Sequence, residues 1–334
     1  MAGLKGNNAW WMFQRQTEKG TIATVKKPSS VKTETVGAFK QPFSGGNIEP
    51  NRVFGKLAET DASRNIGVSY AKVGGVKGNP EGYVRDDWIG SALQGVLGLD
   101  AVIAAEPNYT HTITPTLSIP YFTFWKMQSE TLYEQYKDCI FSSLQIKTTP
   151  GEPLVGTATV LGLQAKRLTT DPSAAASIEL DKKTVYNFNN ATTTLGGSET
   201  KLISSFDLTL NNAATSQQTD SFTPLDTIAG IFSVDLTFDF ILENITQYEK
   251  FNYESAEFVN ESNKLYETAF KVKFELGANN SIEFTIPKLA YETFVVSPNV
   301  TGAPIVVSVK GIAQRVGAGE NIVEAVVKNQ ISAY

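Results

Sequence analysis

Few residues of this chain could do chemistry, and none stands in the arrangement that chemistry requires. His111 is the only histidine among 334 residues, and Cys139 is the only cysteine. A general base needs an oriented partner. His111 lies in Tyr109-Thr-His-Thr-Ile113, an alternating segment that reads as a strand carrying a structural side chain. One His and one Cys cannot build a His/Cys metal cage. Cys139 has no partner for an internal disulfide, and within Asp138-Cys-Ile-Phe141 it reads as a small buried hydrophobe. A Ser-His-Asp triad is arithmetically possible, but the chain has no nucleophile-elbow motif. Asp86-Asp87 is a carboxylate pair at a helix start, where acidic side chains cap amides and complement the helix dipole. Gly45-Gly46, Gly74-Gly75 and Gly196-Gly197 do not extend into a phosphate-binding fingerprint and read as turns. Asn108-Tyr-Thr, Asn190-Ala-Thr and Asn244-Ile-Thr match glycosylation acceptors, a match without force in the absence of a secretion signal. The run Ile119-Pro-Tyr-Phe-Thr-Phe-Trp125 could offer an aromatic platform for sugars or bases. Its place beside a strand pattern favours core packing.

The elements around these residues are mostly strands. Phe206, Leu208 and Leu210 alternate with Asp207 and Thr209. Phe232, Val234, Leu236, Phe238 and Phe240 alternate with Ser233, Asp235, Thr237 and Asp239, and Phe270 to Leu276 repeats the pattern. A period of two puts one face on a core and the other in water or against a polar surface. Antiparallel sheets allow this, so the chain reads as a mainly β sandwich or open barrel. Gly156 to Gly162 reads as a further strand, and Trp10 to Phe13 as an apolar strand-like cluster. Trp88, Ile89, Leu93, Val96 and Leu97 trace an apolar helix face stopped by Gly98.

This strand grammar occurs twice. Residues 65–70, the helical stretch 86–98, the strand 112–120 and Leu144 to Lys147 make one series. Phe232 to Phe240, the polar-aromatic stretch from Glu243 to Ala256, Ser281 to Pro287 and Pro304 to Lys310 make the other. The division that follows is a first module over 1–168, a connector over 169–200 and a second module over 201–334. Short strands at Ser177 to Leu180 and Val185 to Phe188 are expected within the connector. Residues 26–50 are rich in Lys, Ser, Thr, Gly and Pro and have little to bury, so they read as an N-terminal arm or loop. A net charge of −5 argues against a nucleic-acid gripping surface. No run is long and apolar enough for a membrane helix, and Met1-Ala-Gly-Leu-Lys-Gly has no apolar signal core. Synthesis in the cytoplasm, no membrane and no cofactor are therefore expected.

The ordered set of segments resembles a known family. Val73-Gly-Gly-Val-Lys-Gly78, Asp87-Trp-Ile-Gly-Ser-Ala-Leu-Gln-Gly-Val-Leu-Gly98 and Tyr109-Thr-His-Thr-Ile113 resemble the tail tube proteins of long, non-contractile-tailed bacteriophages (siphophages). So do Asp138-Cys-Ile-Phe-Ser-Ser-Leu-Gln-Ile-Lys147, Gly151-Glu-Pro-Leu-Val-Gly-Thr-Ala158 and Ile286-Pro-Lys-Leu289. The likeness is one of pattern and order, from about Phe43 to Tyr334. It implies duplicated antiparallel sandwich/barrel modules, each with a flanking helix, and a structural virion protein without enzymatic activity. Such subunits form rings that stack into a tube, made in the host cytoplasm and sited in the virion tail. The tape measure protein fills the lumen until double-stranded DNA passes during ejection, and tail terminator and distal tail proteins close the ends.

Two modules of four strands imply three chains per ring with pseudo-sixfold symmetry, or six chains if the duplication fails. Roughly 24 strands ~4.8 Å apart and tilted by ~45° enclose a lumen of about 40 Å, wide enough for a duplex. The polar faces of the alternating strands nominate Gln145, Lys147, Asp235, Thr237 and Asp239 as lumen-lining residues. The alternatives are a virion adhesin or carbohydrate-binding sandwich using the Tyr121 to Trp125 rings, a β-rich glycoside hydrolase needing two carboxylates in a cleft, and another phage head or tail structural protein.

Overall fold

The computed structural model describes residues 8–30, 36–57, 68–105, 107–243, 245–253, 265–296, 302 and 304–334. The period-two pattern does what sheet geometry requires of it. In Ser233–Ile241 the side chains of Val234, Leu236, Phe238 and Phe240 are buried, and those between them are half-buried. Ile203–Asn211 and Val155–Gly162 alternate in the same way.

These strands form one antiparallel sheet with an apolar inner face and a polar outer face. Its order is Ile48–Pro50, then Val76–Gly78 with Glu81–Tyr83, Val155–Gly162, and the second half of Leu132–Thr148. It continues with Ile203–Asn211, Ser233–Ile241, Val306–Ala313 and the last part of Ser281–Val296. In chain order each half contributes strands one, two, four and three. The same four-strand arrangement thus occurs twice, and the joint between halves is the pairing of Leu132–Thr148 with Ile203–Asn211.

Two further sheets share the core. One runs Phe39–Pro42, Trp10–Arg15, Phe122–Ser129, the first half of Leu132–Thr148 and Gln164–Leu168. The other runs Gly98–Ala105, Asn108–Pro115, Glu324–Asn329, the first part of Ser281–Val296, Glu267–Glu275, Ala191–Leu195 and Ser198–Thr200. Each long strand therefore serves two sheets, and each bends at matching places. Residues 137 and 138 together oppose Thr123, as 287 and 288 together oppose Ala269. Ser142 and Glu292 are single extra residues in their pairings. Both irregularities recur at an offset of 150 residues, 138 to 288 and 142 to 292. Bulges of this kind bend a strand and raise its twist, which lets it leave one sheet for another.

The helix expected after Asp86 spans Trp88–Leu97, and every one of its residues is buried. Gly98, at φ 103°, ends it as expected. Two glycines let neighbours approach its backbone. A Cβ on Gly90 would fall inside the Tyr334 ring, and one on Gly95 would meet Phe141. Asn212, from the second half, donates to the Val96 carbonyl at 3.0 Å and so closes the C-terminal turn. In the second half Thr246–Asn252 is helical within the polar-aromatic stretch; residues 244 and 254–256 of that stretch lie outside the described residues. The first strand of the first series, 65–70, is also only partly described: 65–67 lie outside, and Ser69–Val73 is a strand.

Three expectations fail. Asp87 makes no side-chain cap, because its own backbone is helical (φ −79°, ψ −56°) rather than in the extended region from which a cap oxygen reaches back. Asp87 instead binds Lys183 at 2.6 Å, and Asp86 accepts from Asn280 at 2.9 Å. Ser177 to Leu180 and Val185 to Phe188 are not strands. Ile178 and Leu180 pack as a cover over Trp10, Met12, Trp125 and Met127, the outer face of a sheet that is apolar on both sides. Nor is the 26–50 segment an arm with little to bury. Phe39 and Ile48 are buried, and Phe39–Pro42 and Ile48–Pro50 pair within the chain with Trp10–Arg15 and Val76–Gly78. Its residues 31–35, with Lys32, lie outside the described residues.

Replacing a mid-helix glycine by alanine ordinarily stabilises by up to ~1 kcal/mol. At Gly90 the added methyl must displace the Tyr334 ring, so Gly90→Ala should instead lose on the order of 2 kcal/mol. Urea unfolding measures this; a variant as stable as the parent would mean that Tyr334 can swing aside.

Candidate functional site

The five polar residues nominated from sequence come to lie on one surface. Gln145 and Lys147 belong to Leu132–Thr148; Asp235, Thr237 and Asp239 belong to Ser233–Ile241, with only Ile203–Asn211 between them. Lys147, Asp207, Thr237 and Lys310 form one cross-strand row, and Gln145, Thr209 and Asp235 form the next. Asp239 stands between Ser205 and Ser308. Each is placed by the same cause: the strand buries its even-numbered neighbours, so the odd-numbered positions must face outward.

Hydrogen bonds cross-link side chains on this surface. Gln145 Nε2 donates to both Asp207 carboxylate oxygens at 2.9 Å. Ser205 Oγ donates to Asp239 Oδ2 at 2.8 Å. Lys310 Nζ meets Glu292 at 2.6 Å, and that carboxylate holds the lysine above its ordinary pKa. Across the four strands from Leu132–Thr148 to Val306–Ala313, Lys147 and Lys310 face Asp207, Asp235 and Asp239, a net of one negative charge. The face of these four strands is polar and, among the described residues, carries no basic track. Asp207, Thr209, Ser205, Ser308 and Lys310 were not nominated from sequence. The alternation that places Asp207 and Thr209 was visible; the pairing that makes them neighbours of Gln145 was not.

The remaining chemistry-bearing residues are structural. His111 is fully buried, with Nδ1 2.9 Å from Asp100 Oδ2 and Nε2 2.8 Å from the Ile331 carbonyl oxygen. Cys139 is buried, and burial pushes its thiol well above its ordinary pKa. Phe122, Phe124 and Trp125 are buried, and Tyr121, half-buried with its hydroxyl donating to Asp226 at 2.9 Å, is left as a single ring rather than a platform for a sugar. A pocket of about 540 Å³ is lined by Asp87, Asp181 and Lys183 among others. Of its three carboxylates, Asp87 binds Lys183, and Asp181 accepts from the Gln41 amide at 3.0 Å and the Lys183 N–H at 2.9 Å, which leaves exposed Glu179 alone. That leaves no free acid and base pair of the kind glycoside hydrolysis needs. Among the described residues no cluster of His, Cys, Asp and Glu could hold a metal, and no helix is long and apolar enough to cross a membrane.

A family model described as phage tail tube protein matches residues 21–317. Among curated proteins nothing matches.

Beneath this pocket Asp86 is buried, and burial together with the Asp87 charge lifts its pKa from 3.8 to about 6. The folded chain then holds this proton more tightly than the unfolded chain. Stability should fall as pH rises from about 4 to about 6, by on the order of 2 kcal/mol. Asp86→Asn should flatten that slope and raise stability at neutral pH. Urea unfolding between these pH values checks it; an unchanged slope would assign the titration to another group.

Proposed function

The chain belongs to the phage tail tube protein family, and from that premise we propose that three copies close into a ring with pseudo-sixfold symmetry. Membership places the protein in the virion tail, as a structural subunit that self-assembles into a tube. The finer reading rests on one observation, the repeated four-strand order of the polar-faced sheet.

Within the chain the third strand of the first half, Leu132–Thr148, pairs with the first strand of the second half, Ile203–Asn211. The third strand of the second half ends in Thr293 to Val296, which pair with Val306–Ala313 on one side only among the described residues. The first strand of the first half, Ile48–Pro50, has Val76–Gly78 as its one strand partner among the described residues. A joint between copies that repeats the joint within the chain would bring these two edges together. Such a heterologous contact closes a ring and removes the open edges. Three chains of eight strands give about 24 strands, and hence a lumen of about 40 Å. The modules 1–168 and 201–334, with the connector 169–200, are the units of this arrangement; six copies per ring would be its refutation.

Rings stack into the tail tube of a siphophage, and the polar-faced sheet lines the lumen with Gln145, Lys147, Asp235, Thr237 and Asp239. A weakly negative, hydrogen-bonded wall releases few counterions from DNA, so a passing duplex does not stick. The tape measure protein before ejection, and terminator and distal tail proteins at the ends, complete the set of partners.

The wall assignment is tested by thiol access. Cys139 is buried and gives no background. A Thr237→Cys chain should react with a bulky polyethylene-glycol maleimide before assembly and be protected in tubes. Equal labelling in tubes would put this face on the outside. Image averages of the same tubes should show three chains per ring.

A further inference from the structure

We propose that Lys126 and Asn47 become joined by an intramolecular amide bond, with Glu134 as proton acceptor and ammonia as the product. Asn47 directly precedes the edge strand Ile48–Pro50. Lys126 and Glu134 face each other in register between Phe122–Ser129 and Leu132–Thr148, and Trp11 stands opposite Lys126 on its other side. Lys126 is 2% exposed. Its Nζ lies 3.2 Å from Asn47 Oδ1 and 2.9 Å from Glu134 Oε2, and it also contacts the Ile48 carbonyl oxygen. The Tyr136 ring centre is 5.7 Å away.

Two observations point from a static ion pair to a reaction. The first is a surplus of acceptors. Tyr136 Oη lies 2.9 Å from both the Ile48 carbonyl oxygen and Glu134 Oε2. A hydroxyl has one hydrogen, and a carbonyl and an ionised carboxylate can only accept. Moving a proton from Lys126 to Glu134 resolves this: the acid donates to Tyr136, which donates to Ile48. The same transfer leaves Lys126 a neutral amine with a free lone pair, its nucleophilic form.

The second observation is the orientation of Asn47. Its oxygen faces the buried amine, while Nδ2 donates to the exposed Glu49 carboxylate at 3.2 Å. Asn47 also lines an open pocket of about 410 Å³ with Glu49 and Lys77. The nitrogen that must leave therefore faces solvent.

Nζ attacks Asn47 Cγ, the new C–N bond forms, and the Cγ–Nδ2 bond breaks. Of the three ammonium protons one stays on the new amide. Another converts the leaving group to ammonia, and the third rests on Glu134 or departs with the ammonia. Nothing is oxidised or reduced. The bond would tie an edge strand of the polar-faced sheet to Phe122–Ser129, joining residues 79 positions apart in the chain. It does not depend on the number of chains per ring.

Mass spectrometry of the purified full-length protein tests the proposal. The expected result is an intact mass lower than that of the sequence by one ammonia, with a branched peptide connecting Lys126 to Asn47 after proteolysis. A chain at full mass overturns it. So does an ammonia loss found on a linear Asn47 peptide, which would be cyclisation of the asparagine. Glu134→Gln keeps the side-chain shape and should fold, with the far-ultraviolet spectrum of the parent, at full mass. A branched peptide in that variant would remove Glu134 from its role.

Discussion

A strand of sixteen or seventeen residues cannot remain in one layer of a sandwich, because accumulated twist carries it away from the sheet in which it began. Leu132–Thr148 and Ser281–Val296 are strands of this length, and the rest of the molecule is arranged around their passage from one sheet to another. The bulge residues make the turn possible, and aromatic rings fill the angle it opens. Phe122 and Phe141 meet edge to face at 5.0 Å in the first half, with Phe13 stacked on Phe124 at 5.4 Å. In the second half Phe206 meets Phe274 at 5.6 Å and Phe238 meets Phe270 at 5.4 Å. Phe141 and Tyr291 occupy corresponding places, each just before the second bulge of its strand. The polar face owes its position to this packing. Once Leu208, Leu236 and Phe238 are drawn into the core, Asp207, Asp235, Thr237 and Asp239 have only the outer surface left.

Much of this was legible in the residues. Period two gave the strands and their faces, and a run of apolar residues ending in Gly98 gave the helix. Burial of Cys139 and of the Phe122, Phe124 and Trp125 rings, and a structural place for His111 on a strand, followed from their settings. What escaped was long-range. The 26–50 segment looks poor in apolar residues when counted, yet Phe39 and Ile48 suffice to anchor two short strands to partners elsewhere in the chain. Ile178 and Leu180 alternate like a strand but serve as a lid over a second core, a role set by a sheet that is apolar on both faces. Asp86-Asp87 carries a helix-start signature that the local backbone overrides. The repeat read from strand order matched the wrong segments: the bulges align Leu132–Thr148, not 112–120, with Ser281–Val296, and Val155–Gly162, not Leu144 to Lys147, with Val306–Ala313, and no local pattern marks those bulges.

The two halves are also unequal in an instructive way. The first inserts the hairpin Gly98–Ala105 and Asn108–Pro115 between its helix and its long hairpin, and this insertion accepts Glu324–Asn329 from the end of the second half. The C-terminal residues then run over the helix of the first half: Ser332 donates to the Ser29 carbonyl, and Tyr334 lies against Gly90. The helix is thereby enclosed by residues from both ends of the sequence, which explains why a segment with glycines at 90 and 95 can be helical at all. Its stability comes from enclosure rather than from propensity.

The joint between Leu132–Thr148 and Ile203–Asn211 has a consequence for dilution. A contact between separate molecules weakens as their concentration falls, whereas a contact within one chain is held at an effective concentration fixed by the connecting segment. Because the connector 169–200 makes this joint intramolecular, half of the equivalent joints in any ring of such chains persist at every protein concentration. The order of the assembly reaction drops accordingly, and the partly built intermediates are fewer than they would be for single-module subunits. Fusion also frees the two halves to differ. The hairpin of Gly98–Ala105 and Asn108–Pro115 belongs to the first half, so in a ring closed as proposed it would recur at every second module.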